Sequence, residues 1–578
     1  MKKELQLFDV PKIQTIQEMV LASAKKFSTK IALEDLNPTP INKATYRELV
    51  EYILKFGSAL RKAGIKERSH IAVIGENRVQ WSISFLTGMC FNYVLVPIDR
   101  NLTNNEIMNI LHESDAEAVI FSGSYAGVMA EGRNFLKNLK YFICMDETSE
   151  EKIFLNMPEL IRKADEFSVE QLPYINPDDL AEIIFTSGSL GRAKGVMLSQ
   201  RNLASNLVDM VSMILINEKD RFLSVLPMHH TYECTCGMLC PLYSGASVHY
   251  ARSLKTVVDD IQKVRATILL GVPLLYDKMF RRIIKGIKEN KVKSVIVPPL
   301  VKLTNLFSYV GLKDLKKKIF SELHEKFGGA VRLFIAGGAA PDPLVAKGLR
   351  EFGFNFVQGY GLTETSPILA LNRIDALKDD AAGLPLPRVQ IKINNPDENG
   401  SGEIWAKGPS VMIGYYKNEK ATADVFEEGW FKTGDIGFVD DEGFLHINGR
   451  KKNVIISRGG KNVFPEEIED ILNRSPFILE SLVYGEKDSK QDEIIAAQIV
   501  ADAEAFIEYS ETNKVGITDE LVKGKISEEI DKANDQLASY KQIKKFVVRQ
   551  KEFEKTTTQK IKRYLVNGKT FNQSEAQD

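Results

Sequence analysis

Residues 186–195 read TSGSLGRAKG and join two apolar segments, 183–185 and 196–198, that have the composition of strands. Glycines let backbone N–H groups approach an anion closely, and Arg192 and Lys194 add positive charge. The segment therefore predicts a phosphate-binding loop between two strands. It is not a Walker P-loop, because Ala193 precedes Lys194 where that motif has Gly, and Gly195 follows it where that motif has Ser or Thr.

Size and composition limit what surrounds this loop. A chain of 578 residues is too long for one core, so we expect two or more domains. Its 76 basic and 77 acidic residues give a net charge of −1, which provides no overall attraction to nucleic acid, so any phosphate site must be local. Five cysteines without a disulfide spacing, no secretory leader and no apolar run of about 20 residues predict a cytoplasmic protein.

Strand and helix patterns alternate through the first two thirds of the chain. Apolar segments at 70–75 and 118–121 flank a helical pattern at 79–89, which is the rhythm of a parallel sheet covered by helices. After residue 400, short alternating segments indicate a small antiparallel sheet, and after residue 450 the pattern becomes α+β. We predict an α/β protein with a large N-terminal domain, 1–450, of mostly parallel sheets plus a small antiparallel subdomain. A small mobile α+β C-terminal domain, 451–578, follows.

One segment, 291–318, is apolar in its middle and basic at both ends. It could rest weakly on an anionic membrane surface. The competing interpretation is a pair of surface helices packed on the large domain. Because Pro298 and Pro299 would interrupt a single amphipathic helix, we expect the second arrangement.

Further motifs follow in order along the chain. Residues 358–367 read QGYGLTETSP, in which Glu364 offers a carboxylate to a hard cation such as Mg²⁺. Residues 431–437 read FKTGDIG, in which Asp435 could accept hydrogen bonds from two ribose hydroxyls. Residues 449–452 read GRKK, and residues 558–561 read TQKI.

Together with the glycine-rich loop, these motifs resemble the acyl-adenylate-forming (AMP-binding) superfamily. That superfamily includes acyl-CoA synthetases, adenylation domains of nonribosomal peptide synthetases and firefly luciferase. The resemblance covers roughly residues 15–565, and the phrases IAGGAAPDP (335–343) and SRGGKNVFPEEIE (457–469) are most like long-chain fatty acyl-CoA synthetases. It implies a reaction in which a carboxylate attacks the α-phosphorus of ATP to give acyl-AMP. A thiol, usually that of coenzyme A, then displaces AMP.

The resemblance also implies roles for residues. Thr363 would hydrogen-bond the ATP phosphates, Glu364 would bind Mg²⁺, and Asp435 and Arg450 would bind the ribose. The remaining residues assigned to the nucleotide are Thr186, Ser187, Gly188, Ser189, Gly191, Lys194, Gly338, Gln358, Gly359, Tyr360 and Gly361.

Lys560 matches the catalytic lysine of the adenylation step, and Lys452 matches the hinge about which the small domain turns between half-reactions. Gly459 and Gly460 would leave room for the pantetheine arm of coenzyme A. His230 matches a histidine beside the acyl carboxylate, although a hydrogen-bonded core histidine is the competing interpretation. A zinc site at the neighbouring cysteines, Cys234, Cys236 and Cys240, is disfavoured by their C-x-C-x₃-C spacing.

The implied substrate is a medium- to long-chain fatty acid. Met228 stands where amino-acid-activating relatives carry an aspartate for the substrate ammonium, and the small residues Ala339 and Gly361 would suit a narrow alkyl channel. Leu190, Ala193 and Gln559 depart from the usual pattern of the superfamily. The alternatives are a fatty acyl–acyl-carrier-protein ligase with the same first step and a non-catalytic nucleotide-binding protein.

Overall fold

The computed structural model describes residues 6–147, 154–186, 193–309, 314–457, 460–487, 493–556 and 560–566. The chain divides into two compact units. The first unit contains Met1–Ile391, Ala406–Phe431 and Asp440–Leu445; the second contains Lys392–Trp405, Lys432–Val439 and His446–Asp578. The domain boundary at residue 450 stays a prediction.

The strands of the described residues are, in chain order, β1 Ile31–Asp35, β2 Lys43–Thr45, β3 His70–Ile74, β4 Val94–Pro97, β5 Ala118–Phe121, β6 Tyr141–Cys144, β7 Leu155–Asn156, β8 Leu180–Thr186, β9 Lys194–Ser199, β10 Arg221–Ser224, β11 Ser247–Tyr250, β12 Ile268–Gly271, β13 Leu333–Ala336, β14 Asn355–Gly361, β15 Ile368–Leu371, β16 Leu384–Pro385, β17 Gln390–Asn394, β18 Gly402–Lys407, β19 Gly414–Tyr415, β20 Phe426–Glu427, β21 Trp430–Val439, β22 Leu445–Arg450, β23 Ile455–Ile456, β24 Asn462–Val463, β25 Ile478–Lys487, β26 Glu493–Ala501 and β27 Ile543–Arg549.

The α-helices are α1 Ile16–Phe27, α2 Tyr46–Ala63, α3 Val79–Cys90, α4 Asn104–Glu113, α5 Ala126–Gly132, α6 Met157–Lys163, α7 Gln200–Met213, α8 Cys240–Ser244, α9 Val257–Val264, α10 Pro273–Glu289, α11 Lys291–Tyr309, α12 Asp314–Ile319, α13 Ser321–Lys326, α14 Pro343–Glu351, α15 Glu419–Val425, α16 Pro465–Leu472, α17 Ala503–Asn513 and α18 Asp519–Asn534. A π-helix spans Tyr232–Leu239. Short 3₁₀ turns include Leu254–Thr256, Thr363–Thr365 and Lys451–Asn453.

Two large sheets form the framework of the first unit. Within the described residues, one has the order β16-β15-β14-β13-β12-β10-β11-β1-β2 and the other β19-β9-β8-β4-β3-β5-β6-β7. Neighbouring strands from β14 to β1 in the first sheet, and from β8 to β7 in the second, are parallel; antiparallel strands lie at the edges. The predicted fold class, mostly parallel helix-covered sheets, is confirmed.

The core of the first unit lies between these sheets. Every residue of α3 is buried, and this helix contacts strands of both sheets. A helix that is mostly apolar and carries no charged residue, as α3 does, is suited to being enclosed by protein. Helix α7 is buried along almost its whole length and likewise contacts both sheets; it begins with a capping box formed by Ser199 and Asn202. Helices α3 and α7 thus hold the two sheets together, and α7 contacts β9 and β15.

The second unit has a smaller α+β core. Strands β25, β26 and β27 form a sheet in which the first pair is antiparallel and the second parallel, and α16 and α18 pack on it. Helix α16 contributes Ile468 and Leu472 to this core, and α18 contributes Ile526 and Ile530. A further sheet comprises β17, β18, β21, β20 and β22, at the positions where the sequence predicts a small antiparallel sheet.

Helix α11 corrects one expectation. It runs without a break through Pro298 and Pro299, which were expected to interrupt it. The two prolines leave the carbonyl groups of Ser294 and Val295 without their usual helical donors, but both residues are exposed, so water can supply the missing hydrogen bonds. Among the described residues, no helix has the length and apolar character required to cross a membrane.

Candidate active site

The glycine-rich segment is held between two paired strands. Thr186 ends β8 and Lys194 begins β9, and these residues are antiparallel partners. The Thr186 hydroxyl donates to the carbonyl oxygen of Lys194 at 3.4 Å. The strands on both sides therefore match the prediction of a loop between strands. Four residues assigned to ATP, Ser187, Gly188, Ser189 and Gly191, lie outside the described residues.

A buried tyrosine connects this hairpin to the predicted metal ligand. Tyr415 in β19 pairs with β9, and its ring lies 4.7 Å from Lys194 Nζ, within the range of a cation–π contact. The Tyr415 hydroxyl donates to Glu364 Oε1 at 2.9 Å. One side chain thus holds a cation and an acid beside the end of β8. Tyr415 stands in none of the motifs described above; its only signal in the sequence is the segment GYY at 414–416.

The turn that carries Thr363 and Glu364 is fixed by its backbone. It follows β14 as the 3₁₀ turn Thr363–Thr365, and the Met412 N–H donates to the Glu364 carbonyl at 2.8 Å. The Thr365 hydroxyl accepts from the Leu362 N–H at 2.9 Å. A Cβ atom at Gly361 would lie 1.7 Å from the Pro367 carbonyl oxygen, so only glycine fits there. These contacts aim the Glu364 carboxylate toward Tyr415.

Other residues assigned to the nucleotide occupy the same strand ends. Gly359 and Tyr360 lie in β14, and Gly338 follows β13 with a φ of +84°, a conformation that favours glycine. The Gln358 side chain also has a structural role. It is buried, and its amide donates to the carbonyls of Asp379 at 3.0 Å and Ala381 at 2.6 Å. Its amide therefore anchors the segment that follows β15.

His230 lies two residues before the π-helix. Its N–H donates to the Pro227 carbonyl at 3.1 Å, and its carbonyl accepts from the Cys234 N–H at 2.9 Å. Its ring lies against that of His229, with centroids 4.1 Å apart and planes tilted by 47°. All five cysteines of the chain are buried.

An apolar cavity of about 30 Å³ lies between β10, β13, β14 and the π-helix. Its wall includes Gly359, one strand position before Tyr360. The lining residues are Met210, Ile214, Ile216, Phe222, Tyr232, Cys236, Cys240, Ile335, Ala336, Gly359, Ile368 and Leu371. A larger surface groove of about 440 Å³, lined by residues such as Thr29, Lys30 and Asp220, contains none of the predicted site residues.

The residues that line this cavity differ from those expected. Ala339 is exposed and, like Gly361, is not part of the lining. Ala336 and Gly359, a few positions earlier on the same two strands, take that place. Which residue of a strand end faces inward depends on how β13 and β14 pair with neighbouring strands, and this is not a local property of the sequence.

Two buried acids near the π-helix were also missed. Burial raises the pKa of Glu182 to about 8, and it does the same for Glu233. Glu233 is 1% exposed and packs against Gly237, where a Cβ atom would lie 2.7 Å from its carboxyl group. Both acids are therefore largely protonated at neutral pH. Glu233 ends the segment LPMHHTYE at 226–233, but no role was expected for either acid, so burial alone distinguishes them.

The second unit contains its own cluster of predicted residues. Arg450 Nε lies 2.8 Å from Asp435 Oδ1, and Asp435 is 4% exposed. The Thr433 hydroxyl donates to the Ile404 carbonyl at 2.7 Å and accepts from the Asp435 N–H at 3.1 Å. Gly434 between them has a φ of +71°. The TGD sequence thus lies within strand β21, where the left-handed backbone at Gly434 and the Thr433 hydroxyl fix the position of Asp435 beside Arg450.

Lys560 belongs to the same cluster. It lies opposite Thr556, whose N–H donates to the Lys560 carbonyl at 2.8 Å. The side chain reaches solvent, but the surrounding protein removes water from around its amine and lowers the pKa of Lys560. The Arg450 guanidinium also lowers that pKa, and Asp435 opposes the effect.

The hinge and thiol-binding predictions also fall in the second unit. Lys452 lies in the 3₁₀ turn Lys451–Asn453 directly after β22. Partial burial and then Arg450 lower the pKa of Lys452. Gly460 has a φ of +74° with open space around its Cα, whereas Gly459 lies outside the described residues.

Comparison with known proteins agrees with these motifs. Residues 20–416 match the family of AMP-binding enzymes, and residues 467–560 match the AMP-binding enzyme C-terminal domain. The long-chain-fatty-acid–CoA ligase FadD15 of Mycobacterium bovis is 28% identical over 92% of both chains. The chloroplastic long-chain-fatty-acid–[acyl-carrier-protein] ligase AEE15 of Arabidopsis thaliana is 27% identical over 83% of this chain and 76% of its own. The anthranilate CoA ligase AuaEII, solved with anthranoyl-AMP, shares the fold, with a TM-score of 0.76 at 20% identity over 98% of both chains.

Proposed function

The chain belongs to the family of AMP-binding enzymes, and we propose that it activates a medium- to long-chain fatty acid with ATP and transfers the acyl group to coenzyme A. The family predicted from the sequence is confirmed. One observation carries the proposal. Strand β14 and the turn after it hold Gly359, in the wall of the apolar cavity, and Glu364, beside Lys194 and Tyr415. An alkyl tail in the cavity would therefore present its carboxylate toward the polar end of β14.

The first unit supplies the groups for the triphosphate. Lys194 provides positive charge, Thr363 provides a hydroxyl, and Glu364 provides the oxygen ligand that suits Mg²⁺. The ion would neutralise phosphate charge. Tyr415 fits this site, since its hydroxyl holds one carboxylate oxygen and leaves the other for a ligand. Bringing a carboxylate to a phosphate requires this neutralisation, because two anions repel each other.

The second unit supplies the groups assigned to ribose and to adenylation. Asp435 would accept from ribose hydroxyls, with Arg450 fixing its carboxylate. Lys560 would carry the positive charge that draws the attacking carboxylate and the phosphate oxygens together. Arg450 and Asp435 form an ion pair, and both act electrostatically on the Lys560 amine. This proximity of residues from three motifs supports the assignment. Lys452 would be the hinge and Gly459–Gly460 the passage for pantetheine, as the family resemblance implies.

The cavity supports an alkyl substrate and sets a condition on it. Its wall is almost wholly apolar, as an alkyl tail requires. At about 30 Å³ it is far smaller than the 300–1,000 Å³ typical of ligand pockets, so lining side chains must move apart to admit a tail. Met210 can do so readily, because methionine is unbranched and flexible. His230, with its ring beside His229, would contact the acyl carboxylate.

The acyl acceptor has two candidates. Coenzyme A and an acyl carrier protein both present a pantetheine thiol, so the glycines at 459–460 suit either. FadD15 is named as a CoA ligase and AEE15 as an acyl-carrier-protein ligase, and the two are about equally similar to this chain. We favour coenzyme A because FadD15 matches over more of both chains.

We also propose a cytoplasmic enzyme that docks weakly on anionic membranes through α11. Five large apolar side chains of this helix are exposed, at helical spacing along one face: Val292, Val295, Ile296, Leu303 and Leu306. Val297, Leu300 and Val301, on the opposite face, pack on the core. Lys291 and Lys302 are exposed and would attract anionic headgroups. A helix apolar on both faces, with one face in solvent, indicates a surface that is covered in use.

Activity is tested by separating the half-reactions. A panel of fatty acids with ATP, followed by pyrophosphate release, identifies the acid; coenzyme A or holo acyl carrier protein then identifies the acceptor. The Lys560→Ala variant is expected to lose adenylation but still to form thioester from supplied acyl-AMP, because the lysine acts only in the first step. Lys562→Ala, two residues away, is the matched control. Loss of both half-reactions in Lys560→Ala, or no pyrophosphate with any fatty acid, would contradict the proposal.

Membrane docking is tested by sedimentation with vesicles. Vesicles of phosphatidylcholine with phosphatidylglycerol should bind the wild-type chain, and pure phosphatidylcholine should bind less. Val295→Glu with Leu303→Glu should release the chain, because both side chains would lie in the headgroup region. Leu254→Glu replaces a leucine that is 70% exposed elsewhere in the first unit and should not change binding. Equal binding by all variants would refute the surface.

A further inference from the structure

We propose that Asp99, His229 and His230 form a binding site for a divalent transition-metal ion of the Zn²⁺ class. Their ligand atoms, one carboxylate oxygen and two imidazole nitrogens, all lie within 4.8 Å of one another. Among the described residues, no other group of three histidine, cysteine or acidic side chains is arranged in this way. The site is separate from the assigned Mg²⁺ ligand Glu364.

The chain brings these residues together from two places. Asp99 follows β4 of one large sheet, and His229 and His230 follow β10 of the other. The Asp99 carboxylate is held by its own turn, where the Asn101 N–H donates to Oδ1 at 2.9 Å. Its other oxygen, Oδ2, lies 3.5 Å from His229 Nε2. The two imidazoles are adjacent in sequence, their planes are tilted by 47°, and each offers a nitrogen within 4.8 Å of the same carboxylate oxygen.

His229 provides the second observation. Its side chain is 8% exposed, and its Nε2 has no hydrogen-bond partner within the part of the chain that the structure describes. A buried imidazole nitrogen without a partner is costly, and such groups require an explanation. This nitrogen is the one that lies nearest Asp99 Oδ2. An ion between the two atoms would satisfy it.

The donor set selects the ion. Two imidazoles and one carboxylate suit Zn²⁺, Co²⁺, Ni²⁺ or Cu²⁺, whereas Mg²⁺ prefers oxygen ligands alone. Bond lengths of about 2.0–2.1 Å place tetrahedral ligands about 3.3 Å apart. The 3.5 Å between His229 and Asp99 is already close to this distance, and small side-chain rotations would bring in His230. A fourth position would remain for water.

The site has a consequence that rests on the proposed function. His230 would contact the acyl carboxylate, and an ion held by its ring would withdraw it from that role. Transition-metal ions should therefore inhibit adenylation at concentrations far below the Mg²⁺ requirement. Binding itself needs neither ATP nor a fatty acid, so it can be measured independently of the activity.

The test is a titration of the purified full-length chain with Co²⁺ in the absence of substrates. We expect visible d–d absorption that saturates at one ion per chain and is displaced by Zn²⁺, without the thiolate charge-transfer band that a cysteine site would give. His229→Ala should weaken binding more than about 100-fold, because even outer partners of metal sites contribute 10- to 100-fold. Asp99→Asn, which preserves shape, should weaken it by about 10-fold or more.

His112→Ala is the matched control, since His112 is an exposed histidine on α4 and should leave the titration unchanged. Thermal melting without metal checks that each variant is folded, and Zn²⁺ should raise the melting temperature of the wild type but not of His229→Ala. The site would be overturned if the wild type showed no saturable binding, or if His229→Ala and Asp99→Asn bound Co²⁺ as tightly as the wild type does. Metal binding by a chain that releases no pyrophosphate would leave the site intact while rejecting the proposed function.

Discussion

Replacing Tyr415 with phenylalanine tests how the Mg²⁺ ligand is positioned. The change removes one hydroxyl, which donates to Glu364 Oε1 at 2.9 Å, and keeps the ring that contacts Lys194. A hydrogen bond to a charged group contributes about 1.5–3 kcal/mol, equivalent to about 10- to 150-fold. Because Glu364 is only half-buried and water can replace part of the bond, we expect a loss near the lower limit, about 10-fold.

The lost hydrogen bond should appear as a weaker apparent affinity for Mg²⁺. Pyrophosphate release by Tyr415→Phe should need about 10-fold more Mg²⁺ for half-maximal rate, and much of the rate should return at saturating Mg²⁺. Tyr416→Phe is the matched control: it removes the neighbouring hydroxyl, which donates to Asp115 Oδ2 at 2.6 Å. An unchanged Mg²⁺ requirement in Tyr415→Phe, or an equal shift in Tyr416→Phe, would refute the reasoning.

Three further predictions concern stability and specificity. Burial raises the pKa of Glu182 from 4.5 to about 8, so the folded chain binds a proton that the unfolded chain releases, and the free energy of unfolding should fall as the pH rises from about 4.5 to about 8. In Glu182→Gln, the midpoint of denaturant unfolding should depend less on pH over this range. Gly361→Ala should lower the melting temperature because its Cβ meets a carbonyl, whereas Gly524→Ala, in open space on α18, should raise stability by up to about 1 kcal/mol. Ala336→Leu should raise the KM for long fatty acids more than the KM for short ones, because its larger side chain would fill part of the cavity. Ala339→Leu changes an exposed residue and should leave both KM values unchanged.

Much of the fold was predictable because the apolar segments are short and regularly separated. Strand β5 is buried throughout and β3 is buried from Ile71 to Ile74, and these continuous apolar runs indicate parallel strands covered on both faces. Helix α11 was not predictable in the same way. Its continuation through two prolines depends on exposure of the freed carbonyls and on packing of its inner face, and neither is a local property of the sequence.

The candidate site also contains some residues that the sequence indicates and others that only the fold brings together. Glu364, Asp435 and Arg450 stand in motifs, so residue type and order identified them. Tyr415 was missed because its role comes from the pairing of β19 with β9, over 200 positions away in sequence. Ala339 and Gly361, the small residues expected to suit an alkyl channel, lie three and two positions beyond Ala336 and Gly359, which line the cavity. The inward face of a strand end is decided by its neighbours.

The cluster of Asp99, His229 and His230 was missed for the same reason. A pair of adjacent histidines is uninformative until a carboxylate from another sheet is brought beside it. Cysteines nearby drew attention to zinc, yet the oxygen donor that completes a ligand set is 130 positions away from His229.

The π-helix at Tyr232–Leu239 has a further consequence for how chain-length preference can change. A π-turn accommodates one residue more than an α-turn, and in an α-helix each residue advances by about 100° around the axis. Deleting a single amino acid here would convert a π-turn into an α-turn, which keeps the following helix in place and changes which side chains between Tyr232 and Cys240 face the cavity. Substrate range in this protein could thus diverge through one codon lost or gained, with both flanking sheets left undisturbed.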